Sequence, residues 1–281
     1  MRPASRRAFG RAAAAYDEHA VLQREVGARL LQHLDPIRIE PGRVIDLGCG
    51  TGAFLGPLRR RFPRASLVAL DAALPMLREA RRRSPWWRRA LAAGVPALAC
   101  ADAERLPLAA GSARLVFSNL LLQWCDPAAV FRETARVLET GGLFLFSTYG
   151  PDTLKELRGA FAAVDGAPHV NAFVDMHDLG DALVAAGFAD PVMEMETLTL
   201  EYADVESLAR DLRRGGGQTV LGAAVPAWAD ASAGGAWRSA TRSTGATVRS
   251  PRPSRWSTGT RGRRRRARAP MAARSSTSIP G

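Results

Sequence analysis

The residues with the clearest chemistry are Asp46-Leu47-Gly48-Cys49-Gly50-Thr51-Gly52. Val44 to Leu47 is a short apolar run with Asp46 inside it, and glycines follow at every second position. An apolar run bounded by glycine reads as a buried parallel strand entering a tight turn. Ala53-Phe54-Leu55 and Leu58 then take helical spacing, so the unit is strand, glycine loop, helix. Glycine is needed where φ/ψ is unusual or where a ligand approaches with no Cβ in the way. A polar ligand is expected there, against exposed backbone N–H groups at the helix N-terminus.

Two ligand classes fit this loop. Read as G-x-G-x-x-A, residues Gly48 to Ala53 match the dinucleotide fingerprint. Read as D-x-G-x-G-x-G from Asp46, the stretch resembles motif I of the class I S-adenosylmethionine (SAM) methyltransferases, and this match is the more specific. A carboxylate two residues before the first glycine can orient the loop and the cationic, amine-bearing methionine end of SAM. It would repel a pyrophosphate. A glycine-rich turn without a ligand is the plain alternative.

The elements that must position this loop alternate along the chain. Phe9 to Leu34 has helical character, with Val21, Leu22, Val26, Leu30 and Leu34 at three- and four-residue steps. Tyr16, Asp17 and Gln23 lie on or before this helix, which either covers the sheet or serves as an active-site lid carrying Tyr16. Leu58 to Phe62 completes the helix after the glycine loop. Ser66 to Leu70 reads as the second strand, ending in Asp71, 19 residues past Gly52. That spacing suits an acid that binds ribose hydroxyls, at about 20 residues. It suits an N-cap equally well, because a helix from Leu74 to Arg83 follows.

Ala97 to Ala101 is the third strand, ending at Asp102, whose carboxylate can accept an adenine amino group. Asp102-Ala103-Glu104-Arg105-Leu106-Pro107 has the form of a methyltransferase adenine loop. Leu115 to Asn119 is the fourth strand, and its carboxyl end faces the ligand crevice of an open α/β sheet. Asn119, Gln123 and Trp124 are therefore pocket candidates, Trp124 with a core role as the alternative. A helix from Ala128 to Leu138 ends at Glu139-Thr140-Gly141-Gly142, and Leu143 to Thr148 is the fifth strand. Asp175 to Ala186 reads as a helix, Pro191 to Tyr202 as a strand and Val205 to Leu212 as a short helix. Strand and helix in alternation give a doubly wound, Rossmann-like parallel sheet with helices on both faces.

Bulk properties narrow the class. The chain has 281 residues, 47% hydrophobic and 23% charged, which is ordinary for a globular protein. No apolar run approaches the roughly 20 residues of a membrane span. The basic start is followed by too short an apolar run for a signal peptide. Cys49, Cys100 and Cys125 lack metal-type spacing, so reduced structural thiols, a cytoplasmic setting and no metal are expected. Of the formal charge of +12, residues 223–281 carry +11, leaving +1 for residues 1–222. The folded part is therefore nearly neutral, and nucleic acid is not the expected partner. Arg78, Arg81, Arg82, Arg83, Arg88 and Arg89 form a local basic run, either a solvated helix end or a docking face for an acidic partner.

Three further blocks narrow the resemblance. These are Ser118-Asn119-Leu120-Leu121-Leu122-Gln123-Trp124, Phe146-Ser147-Thr148-Tyr149-Gly150-Pro151-Asp152-Thr153-Leu154 and Asp175-Met176-His177-Asp178-Leu179-Gly180-Asp181. With them, residues from about Phe9 to about Leu221 are similar to the malonyl-[acyl-carrier protein] O-methyltransferases of biotin synthesis. The resemblance implies SAM as cofactor and methyl transfer to the free carboxylate of a malonyl thioester, on acyl carrier protein or on coenzyme A. It implies a cofactor site from Asp46, Gly48, Gly50, Gly52, Asp71, Asp102, Ala103 and Asn119. Tyr16, Tyr149, His169 and His177 are the candidates to hold the substrate carboxylate, with a structural role as the alternative for each histidine. A carboxylate with a pKa near 4 is already ionised at pH 7, so no catalytic base is expected. A monomer is expected. Another small carboxylate as acceptor, and a nucleic-acid methyltransferase using the basic tail, are the alternatives.

Residues 223–281 depart from this pattern. They contain no Leu, are rich in Arg, Ser, Ala, Gly, Thr and Pro, and include Arg263-Arg264-Arg265-Arg266. Such a composition cannot bury enough apolar surface to offset ordering entropy. Two units are therefore expected, a methyltransferase domain over 1–222 and a disordered tail over 223–281. The final strand of the sheet is expected to be missing, as if the gene's reading frame had changed.

Overall fold

The computed structural model describes residues 1–83, 96–162, 172–198, 200–201, 247–248 and 272–275. Its centre is a seven-stranded sheet, Ala97–Cys100, Ser66–Asp71, Arg43–Leu47, Ala113–Asn119, Leu138–Ser147, Ala272–Ser275 and Phe188–Val192 in spatial order. Five strands are mutually parallel: β1 (Arg43–Leu47), β2 (Ser66–Asp71), β3 (Ala97–Cys100), β4 (Ala113–Asn119) and β5 (Leu138–Ser147). The order runs outward from β1 to β3, then restarts on the other side at β4. That reversal is the topological switch point, where a ligand crevice forms at the carboxyl ends of β1 and β4.

Strand alternation explains the two cores. Ile45, Leu47, Val68, Leu70, Val116, Phe144 and Phe146 face one side and pack with Val130, Phe131, Leu179 and Leu183. These come from α6 (Pro127–Val137) and α8 (Met176–Ala185). Val44, Leu67, Leu115, Phe117, Leu143 and Leu145 face the other side, against Leu30 and Leu58 of α3 (Val21–Gln32) and α4 (Leu55–Arg61). Each fully buried Leu or Phe stabilises the fold by about 1.5–3 kcal/mol. Helices therefore cover both faces, as the alternation of elements predicts. α5 (Leu74–Arg83) has the bounds read from its sequence. Asp126 caps α6 by accepting from Ala128 N–H at 3.1 Å, and Asp175 caps α8 by accepting from His177 N–H at 2.8 Å.

Three expectations are corrected. The N-terminal helix is broken into α1 (Pro3–Ala12), α2 (Tyr16–His19) and α3, because the chain folds back over the sheet's carboxyl edge. In place of a strand over 191–202 there are β6 (Phe188–Val192) and β7 (Leu200–Glu201), and residues 193–198 are irregular. Pro191, which has no N–H to give a ladder, lies in β6 between the register positions Ala189 and Val192.

The third correction concerns the missing strand. β9 (Ala272–Ser275) lies antiparallel between β5 and β6, pairing Phe144 with Ala273 and Phe188 with Ser275. The tail thus fills the place expected to be empty. An inserted strand is held by backbone hydrogen bonds on both edges, and those do not require apolar alternation. Thr247–Val248 forms β8, paired with β7. The helix expected over Val205–Leu212, and the basic run beyond Arg83, lie outside the described residues. None of the described helices is long and apolar enough to cross a membrane.

Candidate active site

The glycine loop is built for shape. Gly48, Gly50 and Gly52 have φ of 75°, 53° and 78°, in the left-handed region. A Cβ on Gly52 would stand 3.0 Å from Ala80 Cβ, so glycine lets the loop sit on α5. A Cβ on Gly50 would meet nothing within 4 Å, because that residue faces the cleft.

Four of the loop's donors are already occupied, which narrows the expectation of exposed N–H groups. Gly48 N–H and Cys49 N–H donate to Leu70 O at 2.8 and 3.0 Å. Gly50 N–H donates to Asp71 Oδ2 at 2.9 Å, and Gly52 N–H to Cys49 O at 2.9 Å. A pyrophosphate would need these donors. The ionisable groups beside the loop are carboxylates instead, and this favours a cationic ligand.

Asp46 is 3% exposed at the end of β1, and its Oδ2 has no hydrogen-bond partner among the described residues. Burial, then the neighbouring Asp71 carboxylate, pushes its pKa up to about 7. Asp71 also accepts from Ala73 N–H at 2.7 Å, so it both ties the loop and caps the turn before α5. Burial raises its pKa, and the two amide bonds partly offset that. Each Asp71 oxygen still has a lone pair for a ribose hydroxyl.

Asp71 lines an open cleft of about 560 Å³, while Asp46 and Gly52, both predicted for the site, stand behind its wall and not in its lining. Gly48, Gly50, Asp71, Ala103 and Asn119 line it, as the sequence predicts. Its roof is made from the N-terminal helices. Phe9 of α1 packs edge-on against Trp124 at 5.1 Å and against Tyr16 at 6.2 Å. Thr51 Oγ1 donates to Asp17 Oδ1 at 2.5 Å, pinning α2 to the glycine loop. Tyr16 lines the cleft. Burial, then the nearby Tyr149 and Asp71, raises its pKa so that it keeps its proton.

Asn119 closes one side. Its Nδ2 donates to Gln23 O at 2.9 Å and its Oδ1 accepts from Ser147 Oγ at 2.8 Å. Ser147 Oγ accepts in turn from Leu120 N–H at 3.1 Å, where Leu120 has φ 52°. α3 can come this close because residue 27 is glycine. A Cβ there would lie 2.0 Å from Phe54 Cζ and 2.9 Å from Asn119 Nδ2. Ser147, Thr51 and Gly27 also shape the cleft's surroundings and had no role in the sequence reading, which placed Asp17 only beside Tyr16. The signal that offered itself was a hydroxyl at the carboxyl end of β5, one strand from the switch point.

Beyond Ser147 lies a second cavity of about 900 Å³, lined by residues of α3, the end of β5, α8 and segment 193–198. Tyr149 lines it and packs edge-on against Phe173 at 5.4 Å.

The remaining candidates are placed otherwise. Asp102 is half-exposed and ion-paired with the Met1 ammonium at 2.7 Å, and Glu104 holds the same ammonium at 2.7 Å. His177 is exposed on the first turn of α8, and neither cavity includes it. Gln123 Nε2 donates to Leu120 O at 2.7 Å and its Oε1 accepts from Thr148 Oγ1 at 3.3 Å, and it is not among the residues lining the cleft. His169 lies outside the described residues. Among the described residues no cluster of side chains could hold a metal ion, and the three cysteines are free thiols, Cys100 being exposed.

Comparison with known proteins agrees with this geometry. The family model described as a methyltransferase domain matches residues 45–146. The chain is 50% identical over 235 residues to the malonyl-[acyl-carrier protein] O-methyltransferase of Gallionella capsiferriformans, covering 80% of each. It is 56% identical over 211 residues to the protein of that name from Laribacter hongkongensis, covering 74% of this chain and 71% of the other. A SAM-dependent methyltransferase from Thermotoga maritima superposes with a TM-score of 0.50 at 23% identity, covering 70% of this chain and 86% of that one, so the fold is shared.

Proposed function

The chain belongs to the malonyl-[acyl-carrier protein] O-methyltransferase family, and from that membership we infer that it methylates the free carboxylate of malonyl-acyl carrier protein with SAM. The observation that carries the reading is the cleft itself. Its glycines open the backbone to a ligand, and the ionisable groups beside its loop, Asp46 and Asp71, suit an ammonium and a ribose. Bound there, SAM supplies a methyl group on a sulfonium, which a carboxylate oxygen takes in line as the C–S bond breaks, leaving a methyl ester and S-adenosylhomocysteine.

The chain's own residues orient and exclude water. No base is needed, because the acceptor carboxylate is ionised at neutral pH. Asp46 and Asp71 fix the methionine and ribose ends. Ala103 and Leu121 give the cleft apolar walls. Tyr16 keeps its proton and donates it as a hydrogen bond to one oxygen of the substrate carboxylate, with Tyr149 beside it. This aligns the other oxygen with the methyl carbon. Such alignment supplies roughly 7–11 kcal/mol in well-oriented reactions. Phe9, Tyr16 and Trp124 exclude water from above.

Masking the malonyl charge gives a neutral ester, which serves as a primer for pimeloyl chain building in biotin synthesis. The protein acts as a cytoplasmic monomer. The test is transfer of labelled methyl from SAM to malonyl-acyl carrier protein, malonyl-coenzyme A and acetyl-acyl carrier protein. Label in the first, as a base-labile ester, supports the reading. Label in none of them, with SAM bound, overturns it.

A further inference from the structure

The two cavities share a wall one hydrogen bond thick. Asn119 lines the cleft, Ser147 lines the second cavity, and their side chains are joined at 2.8 Å. Tyr16 and Tyr149 repeat the arrangement, one on each side and close enough to interact electrostatically. The second cavity therefore opens where a methyl acceptor must arrive, yet it is no part of the cofactor cleft.

Its lining changes character along its length. At the Asn119 end stand the hydroxyls of Ser147, Thr148 and Tyr149. Methylene and thioether surface from Leu30, Met176, Leu179 and Met193 forms the middle. From Val26 to His33 along α3 is seven residues, about 10 Å at 1.5 Å per residue. At the far end the one arginine is outnumbered by carboxylates. Arg29 bonds Glu25 at 2.6 Å and also pairs with Glu196, and His33 lies near Glu194. Among the described residues that line this end there is no cation without a carboxylate nearby. The interior accordingly suits an occupant that is polar at its tip and uncharged along its stem.

We propose that this second cavity is the chamber for the thioester-bearing arm of the carrier, with its malonyl tip at Ser147, Thr148 and Tyr149 and its uncharged stem against the Met and Leu wall. The proposal rests on the methyl-transfer reading above. It places the carrier body outside the cavity, beyond Arg29 and His33. Apolar side chains that adapt in shape, methionine above all, suit a flexible chain.

The test narrows the chamber without touching the cleft. Val26→Trp fills it from α3, and Met195→Trp, at a side chain 47% exposed, fills it from segment 193–198. Neither residue lines the cofactor cleft. Methyl transfer to malonyl-acyl carrier protein and SAM binding by calorimetry are measured on the full chain. The expected result is a KM for the malonyl substrate raised roughly tenfold or more, with the Kd for SAM unchanged. Wild-type KM in both variants overturns the chamber. If Val26→Trp also loses SAM binding, Met195→Trp decides alone. A wild-type chain that binds SAM but does not methylate malonyl-acyl carrier protein overturns the methyl-transfer reading itself, and the chamber falls with it.

Discussion

Gly50 N–H donates to Asp71 Oδ2 at 2.9 Å, so the carboxylate at the end of β2 holds the glycine loop at the end of β1. The other Asp71 oxygen takes Ala73 N–H at 2.7 Å. One side chain therefore fixes two backbone segments on either side of the cleft. Asp71→Ala leaves both donors short of a partner, at about 1–3 kcal/mol each where water cannot replace it. The expected outcome is a lower Tm and a SAM affinity weakened by more than about tenfold. Asp71→Asn keeps one acceptor and should fall between. Thermal melts and calorimetry on the three proteins check this; a wild-type Kd in Asp71→Ala would remove Asp71 from the site.

The Asp46 carboxyl, raised to about 7 by burial and by Asp71, makes the apo protein less stable as pH rises. An unfolded aspartate ionises near pH 4, whereas folded Asp46 holds its proton until about 7. Between those values the folded state binds more protons, so stability falls by up to about 1.4 kcal/mol per pH unit. A cationic ligand reverses the preference. SAM binding below pH 7 should release a proton, and Kd should improve with pH until about 7 and then level off. Asp46→Asn should bind more weakly and with a flatter profile, Asp71 contributing what slope remains. Calorimetry in buffers of different ionisation enthalpy counts the proton directly.

Gly27 is where α3 meets the sheet. A methyl group there would stand 2.0 Å from the Phe54 ring, which packs on Phe117 at 5.5 Å. Gly27→Ala must displace either the ring or the helix. Overpacking of this kind costs about 1–3 kcal/mol. Displacing α3 also breaks the bond from Asn119 to Gln23 O. The expected result is a lower Tm together with reduced methyl transfer. A restored rate in Gly27→Ala/Phe54→Leu would show that the clash is the cause.

What could be read from the sequence was local. The D-x-G-x-G-x-G run, the acid ending β2 and the bounds of α5 depend on neighbours within about 20 residues, where periodicity and capping speak directly. What could not be read depends on distant partners. Nothing near Gly27 signals Phe54, and nothing near Ser147 signals Asn119. The loop amides were expected to face the ligand, but β2 supplies acceptors for those of Gly48, Cys49 and Gly50. Ala272-Ala273-Arg274-Ser275 carries no apolar alternation and still forms a strand, because its place is defined by the unpaired edges of β5 and β6.

That strand gives a prediction of its own. Proline at residue 273 cannot donate to the ladder between β5 and β6. Ala273→Pro, or a chain stopped after residue 271, leaves both edges open to other chains. Each should melt earlier than the full chain and aggregate more readily, as light scattering during a thermal ramp would show. Identical melts would mean that the sheet holds without β9.

Tyr16 lines the cleft and Tyr149 the second cavity, near enough for Tyr149 to bear on the Tyr16 hydroxyl. With its pKa raised, Tyr16 is a hydrogen-bond donor over the whole working range and never a base. In the proposed role of Tyr16, Tyr16→Phe deletes one bond to an ionised carboxylate, worth about 1.5–3 kcal/mol, or roughly ten- to a hundredfold in kcat/KM. The ring stays, so its packing on Phe9 and the affinity for SAM should be unchanged. Tyr149→Phe should act in the same direction. Since Tyr16 keeps its proton through neutrality, the pH profile should keep its shape in both variants while its height drops. A profile that instead gains or loses a limb would assign one tyrosine to proton transfer, and full activity in both would take them out of the substrate site.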